Sequence, residues 1–412
     1  MLFYSYLLRK ATKMGKIKGA VSVLSNSPYL PTGYGIQAGY LVDRLKRDGV
    51  DVAALSNFGL DGINSTLKTP YGEIPHYARG YEPYSNDVIA MNHTHHVANA
   101  RKASKTQLND VLVTLYDVWV FKGNVYDNVR QIASWTPLDH VTIPPAVLKW
   151  LQRPNVLPIA MSPFGKRQME ENGLECAYVP HAVDTKVMKP TKTINGVDTR
   201  KFMGVADSDF IVGMNAANKA SGLVHRKAFA ENLMAFSIFA KNRPDAKLYL
   251  HTDPFGGAGG WNLFVLAESL GINPEQLLFP DVADYRYGMS QEVLAGFYTA
   301  MDVMLTPSYG EGFGVPTVES LACGTPVIGS NWAATPDLVS SDSWLVDGQP
   351  AWDAGQNAWW QTPSIPSIVN ALEDAYSKRG TKSEKSIEFA KQFDVETVWT
   401  NDWLPLWKKL LG

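Results

Sequence analysis

Short apolar runs alternate with amphipathic stretches along most of the chain. KGAVSVLS (18–25) predicts a strand, NSPYLPTGYG (26–35) a loop, IQAGYLVDRLKRDG (36–49) a helix and VDVAALS (50–56) a second strand. Further strands are predicted over 87–92, 110–116, 156–162 and 175–181. The cycle then restarts, with strands at 209–215, 243–252, 276–280, 302–308 and 325–330. Helices at 227–242, 260–271 and 290–300 separate them. Such alternation predicts the α/β class with parallel sheets, in two doubly wound, Rossmann-like halves. The boundaries read as 14–185 for an N-terminal domain and 205–390 for a C-terminal domain, joined by a polar connection over 184–204. A Trp-rich helix within 391–412 is expected to pack back toward the first domain. Two such halves facing one another make a cleft, and open α/β sheets bind ligands at the C-terminal ends of their strands.

Composition narrows this picture. The 412 residues fit two domains of ordinary size, and a net charge of −2 gives no global field for nucleic acid or an anionic membrane. Two cysteines, Cys176 and Cys323, lie far apart and outside any CxxC, which points to a reducing compartment. The opening MLFYSYLLRK is too short to span a bilayer and is a poor signal peptide. Met14 reads as a chain start, with residues 1–13 an extension outside the fold. The expected location is cytoplasmic.

The densest chemistry lies in SYGEGFGVPTVESLACGTPVIGSN (308–331), where Glu311 and Glu319 stand eight positions apart around three glycines. Gly310, Gly312 and Gly314 allow close backbone approach, Pro316 starts a helix and Gly324 stops it. The spacing is GxGxG rather than the dinucleotide fingerprint. Glu319, near the first turn, has a carboxylate suited to a vicinal diol such as ribose. Glu311 sits nearer a reacting group, or else answers the helix dipole. A second constellation is GMNAANKASGLVHRKAFAENLMAF (213–236), where Arg226 and Lys227 open a helix. The dipole opposes cations there, so the pair makes sense against a dianionic group.

The 308–331 segment resembles the E-x7-E signature of retaining, family-4-type (group 1) glycosyltransferases with the GT-B fold, with Ser320 where alanine is commoner. The resemblance implies that Glu311 meets the donor sugar, that backbone N–H groups of Phe313, Gly314 and Val315 surround sugar and phosphate, and that Glu319 holds the ribose. It also implies a diphosphate grip by Arg226 and Lys227, with Asn215 where the first arginine of the pair often stands. Gly33 and Gly35 match the N-domain glycine loop facing the donor. Tyr116 and Asp117 fall where relatives carry a His-Asp pair, and Asp117 alone reads equally as a helix cap. Val282 and Ala283 match backbone positions of the base pocket, 178–190 matches a hinge segment, and 135–145 is like a segment that shapes the acceptor side. His93, His95 and His96 alternate at an expected strand end, but no carboxylate or cysteine pattern supports a metal there.

The reading is therefore a metal-independent, retaining hexosyl or related transferase without a cofactor. A UDP- or GDP-sugar is the favoured co-substrate. The acceptor is a hydroxyl of a glycan, lipid, protein or modified nucleobase. Its assigned residues are Glu311, Lys227, Arg226 and Asp117 for catalysis. A GT-B epimerase or phosphorylase, a nucleic-acid- or protein-modifying transferase, and a non-catalytic nucleotide-sugar-binding module are the alternatives.

Overall fold

A computed structural model describes residues 17–220, 224–380 and 382–412. The expected N-terminal extension falls outside the described residues, as does part of the loop before Arg226. Contacts divide the chain into two compact units. The first comprises the described residues up to Thr136 with Trp150–Ile159 and Trp399–Gly412; the second comprises Pro137–Lys149 and Ala160–Val398.

In the first unit β1 (Ala20–Asn26) runs between β2 (Asp51–Phe58) and β5 (Asp110–Leu115), parallel to both. Nearly every residue of β1 and β5 is buried, as a central parallel strand covered on both faces requires. The hairpin β3 (Ser65–Thr69) and β4 (Gly72–Tyr77), which the periodicity does not reveal, extends the β2 edge. With β6 (Ile132–Thr136) and β7 (Val156–Ala160) the order is β3–β4–β2–β1–β5–β6–β7. It reverses direction between β1 and β5, and the crevice at their C-terminal ends is the switch point of this sheet.

The strand expected over 87–92 is instead the start of a helix, Ile89–Ser104. Its buried residues Ile89, Asn92, His93, His96, Val97 and Ala100 recur three or four apart, and this helical spacing overrides a short apolar run. The three histidines thus point to different partners. His93 Nδ1 pairs with Ser22 Oγ at 2.9 Å, His95 Nδ1 with the Tyr77 hydroxyl at 2.9 Å, and His96 Nε2 with the Asp51 carbonyl at 3.0 Å. Trp399–Gly412 is held within the first unit. Trp399 Nε1 donates to Asp48 at 2.8 Å, Trp403 lies edge-on to Trp135, and Asn109 donates to the Leu411 carbonyl at 3.0 Å.

The second unit includes β8 (Ala177–Tyr178), a remnant of the strand expected over 175–181; Pro180 lacks the N–H to continue it. The connection over 184–204 carries a small hairpin, β9 (Thr193–Ile194) and β10 (Val197–Asp198), and the short helix Thr199–Phe202. The main sheet contains β11 (Phe210–Asn215), β12 (Ala246–His251), β13 (Leu277–Leu278), β14 (Val303–Leu305), β15 (Val327–Ser330) and β16 (Trp344–Val346). Its order is β13–β12–β11–β14–β15–β16, all parallel, with the switch point between β11 and β14. Phe210, Phe229, Phe236, Phe239 and Leu248 are fully buried in its core. A second hairpin, β17 (Gly348–Asp353) and β18 (Ala358–Pro363), follows β16 outside that sheet. Among the described residues no helix is long and apolar enough to cross a membrane.

Candidate active site

The switch point of the second sheet gathers several predicted residues. β11 ends at Asn215, and β14 runs into the loop 306–314 that precedes the helix Val315–Ala322. Arg226 and Lys227 do not open the helix that follows β11; that helix begins at Phe229, after Ala228 in a left-handed conformation. The two cations therefore lie in the turn ahead of the helix.

From that turn both reach Glu311. Lys227 Nζ lies 2.5 Å from Oε1, and Arg226 Nη1 is 3.3 Å from Oε2. Arg226 also donates to the Gly310 carbonyl and pairs with Asp139 at 3.6 Å. Burial opposes ionisation of Glu311, but the Lys227 and Arg226 charges outweigh it and hold the carboxyl below its ordinary pKa. Burial, then Arg226, lowers the pKa of Lys227, and Glu311 opposes both. Formally two cations balance two carboxylates. Lys227, Glu311, Asn215, Ser308, Gly314 and Thr317 line a small pocket at this point.

Glu319 differs from the sequence expectation. It lies one turn inside its helix and is buried, 5% exposed, rather than at an open mouth. Its partner is Tyr298, whose hydroxyl donates to Oε2 at 2.9 Å and accepts from Asn215 Nδ2 at 2.8 Å. With no cation in this line, burial pushes the Glu319 pKa up to about 7, against the lowering effect of the Tyr298 hydrogen bond. The two glutamates of one motif thus occupy opposite electrostatic settings.

The motif glycines have structural duties as well. A Cβ on Gly310 would lie 2.0 Å from the Asp139 carbonyl, and one on Gly312 would lie 2.6 Å from the Pro137 side chain. Gly314, at φ 88°, forms the left-handed entry to the helix. Its first-turn amides, Val315 among them, have no carbonyl four residues back within the helix. The Phe313 side chain is buried edge-on to His181 and Phe393.

Of the predicted residues in the second unit, Val282 does not line this pocket. Val282 starts the helix Val282–Tyr287, where the Asp281 side chain already accepts the Ala283 N–H at 2.8 Å. Gly33, Gly35 and Asp117 belong to the first unit. There Thr32 caps the helix Gly33–Arg47 by accepting from the Gly35 N–H at 3.0 Å, and a Cβ on Gly35 would meet the Leu30 carbonyl at 2.7 Å. Asp117 makes no capping bond to the turn Val118–Val120; the Tyr34 hydroxyl donates to it at 3.4 Å. Burial raises the Tyr116 pKa, so this phenol is no base near neutrality. A cavity of about 480 Å³ in the second unit, lined by Tyr249, Phe279, Tyr287 and Phe297 among others, contains none of the predicted site residues.

Sequence reasoning missed Asp139 and His140 as neighbours of the Arg226 cluster. His140 Nδ1 lies 2.7 Å from Asp139 and Nε2 3.1 Å from Asp353, with the ring stacked on Trp360 at 4.7 Å. It also missed Tyr298, whose only signal is a phenol within the apolar helix Gln291–Ala300.

Residues 219–391 match the family Glycosyl transferases group 1. The matched segment includes Arg226, Lys227, Glu311 and Glu319. A glycosyltransferase of Sulfolobus islandicus rod-shaped virus 1 is 27% identical over 257 residues, covering 59% of this chain and 70% of that relative. Curated D-inositol 3-phosphate glycosyltransferases of actinobacterial strains such as Streptomyces scabiei are matched over only 25–44% of their length. The sucrose-phosphate synthase of Thermosynechococcus elongatus shares the fold at a TM-score of 0.69 and 18% identity, over 95% of this chain and 99% of its own. Anabaena HepE, solved with UDP and glucose, aligns at 0.61 and 17%, over 96% and 100%. The fold is that of the GT-B glycosyltransferases.

Proposed function

We propose that the chain transfers a sugar from a nucleotide-diphosphate donor to an acceptor hydroxyl, with retention of anomeric configuration and without a metal. The observation that carries this reading is the convergence of Lys227 and Arg226 on Glu311 at the switch point beside the helix Val315–Ala322. A UDP- or GDP-sugar is the favoured donor, in keeping with the UDP held by HepE. Its diphosphate replaces Glu311 as partner of the two cations, and the freed carboxylate turns to the sugar hydroxyls. Glu319, with Tyr298 and Asn215 behind it, takes the ribose diol. The bond from the anomeric carbon to the diphosphate breaks as the acceptor oxygen bonds on the same face. The acceptor proton passes to the departing phosphate oxygen. Lys227, Arg226 and the helix amides stabilise the charge that develops there, the logic of an oxyanion hole. Neither glutamate acts as a nucleophile, unlike the carboxylate pair of a retaining glycosidase.

The test is the proton NMR spectrum of the product formed from an α-linked donor in EDTA. An α-linked product at undiminished rate is expected. A β-linked product, or loss of turnover in EDTA that Mg²⁺ restores, overturns retention or metal independence respectively.

A further inference from the structure

The β17–β18 hairpin is tied to the candidate active site from one side and open on the other. Strand residues alternate between faces, so Trp352 and Asp353 point in opposite directions. Asp353 pairs with His140 at 3.1 Å, His140 with Asp139 at 2.7 Å, and Asp139 with Arg226 at 3.6 Å. Trp360 stacks on His140, and the backbone of Trp359 exchanges hydrogen bonds of 2.7 and 3.0 Å with Val141. Gln361 N–H donates to the Tyr309 carbonyl at 2.9 Å, immediately before the Gly310–Gly314 loop.

The other face carries Trp352 and Trp359, directly opposite one another across the hairpin with ring centroids 5.0 Å apart at 68°. They are 51% and 42% exposed. Tryptophan side chains are rarely left in water side by side without a use. The hairpin's only charged residue is Asp353, which His140 already engages, while Gln356 and Asn357 of its turn contribute neutral amides. A face without cations has nothing for an anionic lipid or a nucleic-acid phosphate. Indole faces bordered by amides suit a neutral ligand that is apolar on its ring faces and hydroxylated at its rim. A chain of sugars has that chemistry.

We propose that the Trp352–Trp359 face is a carbohydrate-stacking platform that receives a neutral glycan as acceptor. This inference rests on the transferase reading and narrows its acceptor class. The path Asp353–His140–Asp139–Arg226 makes the hairpin's inner face part of the scaffold of the donor cations, so the platform is anchored to the same framework as the chemistry.

The test is calorimetric titration of the full chain with maltoheptaose and cellohexaose, alongside sedimentation with phosphatidylglycerol vesicles. At least one oligosaccharide is expected to bind, Trp352→Thr to weaken it at least about tenfold, and Trp352→Phe to keep it within about threefold. Thermal midpoints of both variants guard against a hairpin that merely unfolds; a threonine loss with an unchanged midpoint supports the platform. Absence of binding to both oligosaccharides, affinity indifferent to Trp352→Thr, or Trp-dependent vesicle binding overturns it. UDP, GDP and ADP titrated into the same samples read the donor site separately. A chain that binds none of them fails the transferase reading, whereas one that binds nucleotide but neither oligosaccharide overturns the platform alone.

Discussion

Glu319 and Glu311 show how little residue type says without its surroundings. Glu311 is held ionised by two cations, whereas Glu319 is buried against a phenol and its pKa rises to about 7. A carboxyl whose folded pKa lies above its unfolded value favours the fold when protonated. Its contribution is therefore complete below about pH 4.5 and is lost as pH rises through about 7, a change on the order of 3 kcal/mol. His181, His225 and His251, which burial lowers to about 3, 4 and 4, act in the opposite sense, losing stability as pH falls below about 6.5. The Glu319 effect is isolated by comparing wild type with Glu319→Gln in urea unfolding at pH 5 and pH 8. The variant should gain on wild type by about 2–3 kcal/mol between the two pH values, since it has no charge to bury. An equal difference at both pH values would mean that the Glu319 carboxyl is not resisting ionisation.

At the scale of elements, the βα units were legible because central strands such as β1 and β5 are apolar throughout and their helices carry one apolar face. The 87–92 segment reads as a strand because DVIAMN is too short to show a period by itself; the helical spacing emerges only with Val97 and Ala100. The β17–β18 hairpin leaves no alternating apolar pattern because its tryptophans face water or a histidine rather than an apolar core. In the site, the glycine loop and the Arg226–Lys227 pair were legible since each is local in sequence. Asp139 and His140 were not, because they reach the cluster through the fold from a distant segment. The loop 310–314 depends on that approach, and Gly310→Ala tests it. Its Cβ would collide with the Asp139 carbonyl, whereas a Cβ on Gly33 meets nothing within 4 Å. Gly310→Ala should cost about 1–3 kcal/mol of stability. It should lower nucleotide affinity as well, and Gly33→Ala should leave stability nearly unchanged. Equal melting temperatures for the two variants would show that the loop does not pack on the 137–139 segment.

Over the whole molecule, contacts place the tryptophan-rich C-terminal stretch with the first unit and Pro137–Lys149 with the second, an exchange of segments that a linear domain boundary does not convey. The sequence reading divides the chain at 14–185 and 205–390, with the last segment, 391–412, expected to pack toward the first domain. The similarity to the group 1 family spans residues 219–391, and the GT-B fold is aligned over nearly the full chain. The central claim is that Lys227 and its neighbours grip a sugar-nucleotide diphosphate. Its most direct test is nucleotide release across UDP-, GDP- and ADP-sugars by wild type and by Lys227→Ala. One donor class should turn over, with Lys227→Ala slowing kcat by about 10²–10³-fold, as expected for removal of one donor to a developing oxyanion. Turnover of no donor, or a Lys227→Ala variant as fast as wild type, would contradict the account.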